Sequence, residues 1–251
     1  EPGRRGLYRV DRADQSGGMQ KLEAVRVEPE TYRVSDITDI IPQLRQFIPP
    51  GPVTPFFMDL PLLQGTEVPH APYIAVTAEP WPGAVALYSS DEESSYVLNR
   101  LITARTPVGV LETALPLAPA GRIDRGDPVQ VRMLSGALES VSHLAFLGGA
   151  NLCAVGDGDP AGWELFQFRD ADLVDTDTYL LSHLLRGQLG TEAETAWPEG
   201  SYIVRLDGTP RQIDLPETRR GLSRYYRIGP AQLANDDPSF SAARLSFEGL
   251  G

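Results

Sequence analysis

The chain has 251 residues, a formal net charge of −12 at pH 7, 41% hydrophobic residues and 22% charged ones. A chain of that length can bury a sizeable core, as one large domain or a few small ones. The acidic balance argues against general nucleic-acid binding, because phosphate contacts need a basic surface. No apolar run approaches the length that a membrane-spanning helix needs. Positive charge is almost all arginine, with Lys21 the only lysine, and the short cluster Arg219, Arg220, Arg224 and Arg227 reads as salt-bridged or solvated. Cys153 is alone, which excludes an internal disulfide and a cysteine zinc site. Its apolar flank, "NLCAV", makes it a small core residue. The chain opens on Glu1-Pro2-Gly3 with no signal-peptide pattern, and we expect it to be a piece of a longer protein.

In chain order, "GLYRVDRADQSGGMQKLEAVRV" predicts a hairpin turning at Gly17-Gly18. "SDITDIIPQLRQF" predicts a short helix over 36–47, capped by Ser35 or Asp36. Pro49, Pro50, Pro52 and Pro55 then stop any helix and form a stiff strap or boundary. From Ala71 onward strand signals recur between Pro, Gly and acidic breaks: "PYIAVTAEP", "GAVALYSS", "YVLNRLITA", "GVLETALPL", "PVQVRML", "NLCAV", "WELFQF", "TYLLSHLL", "SYIVRLD", "RYYRIGP" and "ARLSFEG". One further short helix is expected within 139–148. The fold class is therefore all-β, several small barrel or sandwich units with one or two short helices. The expected domains are a hairpin over 1–34, a helix and Pro-rich linker over 35–69, and a β-rich domain over 70–251 with a break near 195.

Chemistry is sparse. His70, His143 and His183 have no metal-ligand spacing, and no G-x-S-x-G elbow occurs. The acidic run Asp91-Glu92-Glu93 reads as a solvated hairpin loop. "GDGDPAGWE" alternates Asp and Gly like a calcium loop, but Pro160 and Ala161 interrupt the ligand positions, so it reads as a β-turn. Neither phosphate-loop pattern is present. No catalytic residue, cofactor site or metal site is assigned.

The segment "WELFQFRDADLVDTDTYLLSHLLRGQLGTE" resembles a signature of tail-tip hub proteins of gene transfer agents and related long-tailed phages. That family carries a strand, a turn and then "YxLSxLLRGxxGTE". The matching positions here are Glu164, Gln167, Phe168, Tyr179, Leu181, Ser182, Leu184, Leu185, Arg186, Gly187, Gly190, Thr191 and Glu192. The opening hairpin is similar to the one that closes the family's hub domain, and "APYIAVTAEPWPGAVALYSS" to the start of its C-terminal domain. Read physically, the motif is a structural corner formed by Arg186, Gly187, Gly190, Thr191 and Glu192. Gly187 and Gly190 would take positive φ. Arg186 would bond a carboxylate or carbonyls across the bend, and Thr191 and Glu192 would cap the next element.

The resemblance implies a virion structural protein in the tail of a phage-like particle assembled in a bacterial cytoplasm. It implies a baseplate hub or host-specificity component, trimeric in its full length, with tail-tube and distal-tail proteins as neighbours and a host-envelope glycan or protein as receptor. The family's glycoside-hydrolase-like barrel would lie upstream, so no enzymatic activity is carried over to this chain. Two other classes stand against this reading. One is a carbohydrate-binding β-sandwich presenting Trp81, Trp163, Trp197, Tyr225 and Tyr226. The other is a glycan hydrolase domain with paired carboxylates.

Overall fold

A computed structural model describes residues 6–27 and 51–249. The chain divides into two compact units at Phe47/Ile48. The helix expected over 36–47 lies outside the described residues.

In the first unit, β1 (Tyr8–Ser16) and β2 (Met19–Arg26) form an antiparallel hairpin. Gly17 and Gly18 both have positive φ, 56° and 82°, the requirement of a two-residue turn whose twist matches the strands. Ser16 pairs with Met19, and an irregularity between Val10 and Arg12 adds a residue to β1. The register places Tyr8, Val10, Ala13, Leu22 and Ala24 on one face and Arg9, Arg12, Asp14, Lys21 and Glu23 on the other. The apolar face is solvent-exposed, with Tyr8, Val10 and Leu22 all more than half accessible.

The second unit is a β-sandwich interrupted by a β-barrel. One sandwich sheet is built from β3 (Val53–Met58), β4 (Tyr73–Ala78) and β14 (Arg211–Gln212), in the order β14-β4-β3. The other has β5 (Val85–Ser90), β6 (Val97–Ile102), β15 (Arg224–Pro230) and β16 (Ser241–Leu245), in the order β16-β15-β5-β6. Between β6 and β14 the chain leaves to form β7 (Val108–Leu111), β8 (Ile123–Asp124), β9 (Val129–Ser135), β10 (Leu152–Gly156), β11 (Trp163–Asp175), β12 (Thr178–Leu185) and β13 (Tyr202–Arg205). These run β11-β10-β13-β7-β9-β12, and β12 pairs back onto β11, which closes six strands into a barrel with β8 appended to β12. Closure abolishes free edges.

Alternation along each strand sorts side chains into three cores. Val53 and Phe57 of β3, with Ile74 and Val76 of β4, face Val85, Leu87, Tyr226 and Ile228 across the sandwich. Their neighbours Phe56, Met58, Tyr73 and Ala75 point the other way, onto Val108, Ala154, Trp163, Leu165 and Val204 of the barrel wall. The β3-β4 sheet is therefore a middle layer covered on both faces, and all six residues of β4 are buried. The barrel interior is filled by Leu111, Val131, Cys153, Val155, Phe166, Phe168, Leu181 and Ile203.

Every long strand segment named in the sequence from "PYIAVTAEP" onward is a strand. The expected helix within 139–148 is α1 (His143–Leu147), started by the Ser142 hydroxyl accepting from Ala145 N–H. Two boundaries differ from the sequence expectation. Val53–Met58 is strand where the Pro-rich linker was expected to run on to residue 69. Pro55 is tolerated because β3 is the edge of its sheet, paired on one side only, opposite Val76. The break expected near 195 falls inside the barrel, because β13 comes after it and pairs with both β7 and β10. The topological joints lie near 106 and 205 instead, at neighbouring strands: Thr106 N–H donates to Val76 O at 2.9 Å, and Arg205 N–H to Pro107 O at 3.0 Å.

Cys153 is fully buried in the barrel, and burial pushes its thiol pKa up to about 12. In the folded chain it should resist iodoacetamide at pH 8 and react only on unfolding; rapid labelling of the native protein would contradict a closed barrel. Phe166→Ala should cost about 3–5 kcal/mol of unfolding free energy in urea titrations.

Candidate functional site

The "LLRGQLGTE" segment closes one end of the barrel. Glu164 lies on the inward register of β11, alternating with Phe166 and Phe168, so its carboxylate enters an apolar interior. Arg186, at the end of β12, meets it there. Its Nε donates to Glu164 Oε1 at 2.7 Å and its Nη2 to Oε2 at 2.6 Å, a two-pronged ion pair. Arg186 Nη1 donates to Pro116 O at 2.6 Å, the Gly187 N–H to Glu164 Oε1 at 3.0 Å, and Trp197 Nε1 to Glu164 Oε2 at 2.8 Å. Both side chains are only 2% exposed.

The bend after Arg186 is left-handed at Gly187 (φ 59°), Leu189 (56°) and Gly190 (78°). At Gly187 the requirement is doubled, since an added Cβ would sit 2.4 Å from Glu192 Cγ and 3.1 Å from Ala120 Cβ. Thr191 does not cap a following element. Its hydroxyl accepts from Leu165 N–H at 2.8 Å and donates to Gln188 O at 2.8 Å, tying the bend back to β11. Glu192 lines the bend beside Gly187. Arg186, Gly187, Thr191 and Glu192 thus converge, while an added Cβ at Gly190 would meet nothing within 4 Å. The sequence places Glu164 among the matching positions and Trp197 among the candidate aromatics, and local spacing joins neither to Arg186; Glu164 is the acid within the stretch "WELFQF" of β11.

This arrangement holds structure and leaves no reactive group. Each Glu164 oxygen already accepts two hydrogen bonds, and the pair is shut off from solvent. Such a pair adds little net stability against an apolar replacement, yet removing one partner strands a buried charge.

A second polar cluster sits at a matched corner of β11 and β12. Arg169, Asp170, Ser182 and His183 meet there, and His183 has φ 56°, rare for a non-glycine residue inside a strand. Inward positions shift from Tyr179 and Leu181 to Leu184 across this residue, while β11 shifts from Phe166 and Phe168 to Ala171, so the register is kept through the bend. Serine, histidine and aspartate in contact invite comparison with a catalytic triad, but the geometry is different. Asp170 Oδ2 lies 2.6 Å and Ser182 Oγ 3.2 Å from the same ring nitrogen, Nδ1, and Arg169 Nη2 lies 3.2 Å from Nε2. No imidazole nitrogen is placed to take the serine proton while the other is held by the acid. The Arg169 guanidinium beside Asp170 holds that carboxyl below its usual range, with His183 adding to the effect.

The remaining candidates are scattered. His70 Nε2 contacts Leu215 O at 2.9 Å, and His143 is on α1. Asp91 is bonded to Arg219 and to Arg224. "GDGDPAGWE" is the β10–β11 turn, closed by Asp157 Oδ1 accepting from Asp159 N–H and Asp159 Oδ1 from Ala161 N–H. Trp163 is buried against Phe56, edge to face, and donates to Phe57 O at 3.2 Å. Tyr226 is buried in the sandwich core, Trp81 packs against that core, and Trp197 is tied to Glu164. These aromatics do not form one exposed platform.

Arg186→Met or Glu164→Gln should each lower unfolding stability by about 3–5 kcal/mol, and the double change Glu164→Leu/Arg186→Met by less than the sum. Gly187→Val should cost roughly 1–3 kcal/mol through backbone strain and the Glu192 clash. Urea midpoints check both, and an unchanged midpoint in the single variants would remove the barrel-end role.

Against known families, the model described as "Rcc01698-like, C-terminal" matches residues 106–204. No curated protein matches the chain. The matched segment begins at the joint before β7 and ends within β13, so the chain's likeness to that family is a likeness of the inserted barrel.

Proposed function

We propose that this chain is a structural, non-enzymatic component of the tail tip of a gene transfer agent or related long-tailed phage, working in the hub or in host contact. The observation that carries this reading is the match of residues 106–204 to the Rcc01698-like C-terminal model, a name tied to gene transfer agents. The Tyr179–Glu192 motif lies within that match and supplies the barrel-end corner. The chemistry of the described residues is in keeping with a load-carrying part: the one fully buried acid–base pair has its hydrogen-bonding capacity used within the fold, and the serine–histidine–aspartate contact lacks triad geometry. The opening hairpin supports an assembly role as well. A two-stranded sheet is marginal alone, and its apolar face needs cover, which a neighbouring hub domain or tail protein would supply. The partners on this reading are tail-tube and distal-tail proteins, with a homotrimer formed by the full-length protein.

Immunogold or cryo-electron microscopy of intact particles, with a tag in the exposed β5–β6 loop, tests the assignment. Label at the distal end of the tail is expected; label confined to the capsid, or particles without the chain, would end it. Clean protein should also show no turnover of peptidoglycan or capsular glycan, and chelator-sensitive hydrolysis would reverse the non-enzymatic part of the proposal.

A further inference from the structure

Where the sandwich meets the barrel there is a cavity of about 350 Å³. It is lined by Leu63 and Glu67 of the loop before β4, by Leu152 of β10 and Leu206 just after β13, and by Arg100 of β6 and Arg211 of β14, which supply positive charge. Gly149 and Gly208 also line it, both with positive φ, and a Cβ on either would meet nothing within 4 Å. The volume is at the small end of ligand pockets, which run from about 300 to 1,000 Å³ and favour domain junctions.

Arg100 is the unexplained group. Its Nε is buried without a hydrogen-bond partner, and among the described residues its guanidinium makes no ion pair. An arginine donor taken from water and left unpaired is costly. Glu67 lines the same cavity, and most of its acceptor capacity is taken by neighbouring residues. Its Oε1 accepts from Tyr73 Oη at 2.7 Å and from Gln64 N–H at 2.8 Å, and its Oε2 from Thr66 N–H at 3.0 Å. That leaves one oxygen able to accept a further neutral donor. The cavity is therefore lined by an arginine with an unpaired donor, a second arginine, an acceptor for a hydroxyl and three leucines.

We propose that this cavity binds an acidic sugar, a hexuronate whose carboxylate pairs with Arg100, whose hydroxyl donates to Glu67 and whose ring face lies on Leu63, Leu152 and Leu206. A bare inorganic anion would leave the three leucines uncovered, and a neutral sugar would leave Arg100 unpaired. The inference goes beyond the tail-tip reading, which supplies only its setting: failure of particle labelling and failure of sugar binding are separate results. The sugar could come as a free monosaccharide or as a residue of an acidic polysaccharide.

Calorimetry and amide chemical-shift mapping of the full 251-residue chain with sodium glucuronate and galacturonate test the proposal. Saturable binding is expected, with shifts at Gly149, Leu206 and Gly208, and binding of glucose or galactose at least about tenfold weaker. Arg100→Gln should weaken uronate binding about tenfold or more with the thermal midpoint kept, while Arg122→Gln, away from the cavity, should change nothing. If Arg100→Gln does not fold, the wild-type shift map decides alone. Tighter binding of oligogalacturonate than of the monomer assigns the site to a glycan chain, and equal binding to the free sugar. No saturable binding, equal binding of neutral sugars, or stronger binding of N-acetylalanine than of either uronate would overturn the proposal.

Discussion

The pairing of Glu164 with Arg186 is the constraint on which the barrel depends. A six-stranded barrel must be sealed at its ends, and an apolar plug would be the ordinary solution. Here the inward register of β11 delivers a carboxylate after Trp163, and the only way to bury it is to surround it with donors. Arg186 brings two, the adjacent Gly187 amide a third and the Trp197 indole, ten residues past Gly187, a fourth. The same arginine reaches Pro116 O and so fixes the β7–β8 connection. Because an unpaired buried charge is so unfavourable, these segments have few other arrangements open to them. An ion pair of this kind adds little net stability against an apolar replacement, but loss of either partner strands a buried charge.

The need for glycine arises from the same requirement. The chain must turn away immediately after Arg186 for its guanidinium to lie inside, and it does so through left-handed residues with Glu192 packed where a side chain of residue 187 would go. Thr191 then returns the bend to Leu165, next to Glu164, so the ring of contacts closes on the strand where it began. A second corner on the same hairpin, at Arg169-Asp170 and Ser182-His183, changes which residues face inward without changing the register. The hairpin is thus bent once in its body and sealed once at its end.

Much of this was legible in the sequence. Alternation and Pro/Gly punctuation marked the long strands from β4 to β16, and the Arg-Gly…Gly-Thr-Glu spacing pointed to a bend. Glu164 was harder to read, because its partner is 22 residues distant and nothing in local spacing joins them; the one trace is an acid between aromatic and aliphatic residues that should be core. β3 was hidden by Pro55, which looks like a breaker until its edge position is known. The two-residue strands β8 and β14 carry no pattern. Nothing in "YVLNRLITA" marks Arg100, since an unpaired donor is a property of three-dimensional surroundings alone.

The insertion of the barrel is the least obvious feature and the one with the widest consequence. Segments on either side of 106–205 share a single core, with Val53, Ile102, Ile213 and Phe247 in contact across the interruption. Neither flank could bury its apolar face without the other, so the sandwich cannot be cut from the chain as a continuous piece. The barrel, by contrast, begins and ends at adjacent strands joined by the Arg205 N–H to Pro107 O bond. Such stems allow a module to be exchanged as a unit. What stops it from moving freely is the middle layer: Phe56, Met58 and Tyr73 lie against Trp163, Leu165 and Val204 in an apolar interface. The β3-β4 sheet therefore serves two cores at once, and a substitution such as one at Phe56 would be felt in the seating of the barrel while Phe57, one residue on, would be felt in the sandwich. The cavity holding Arg100 lies along this seam, where neither module alone would have a wall.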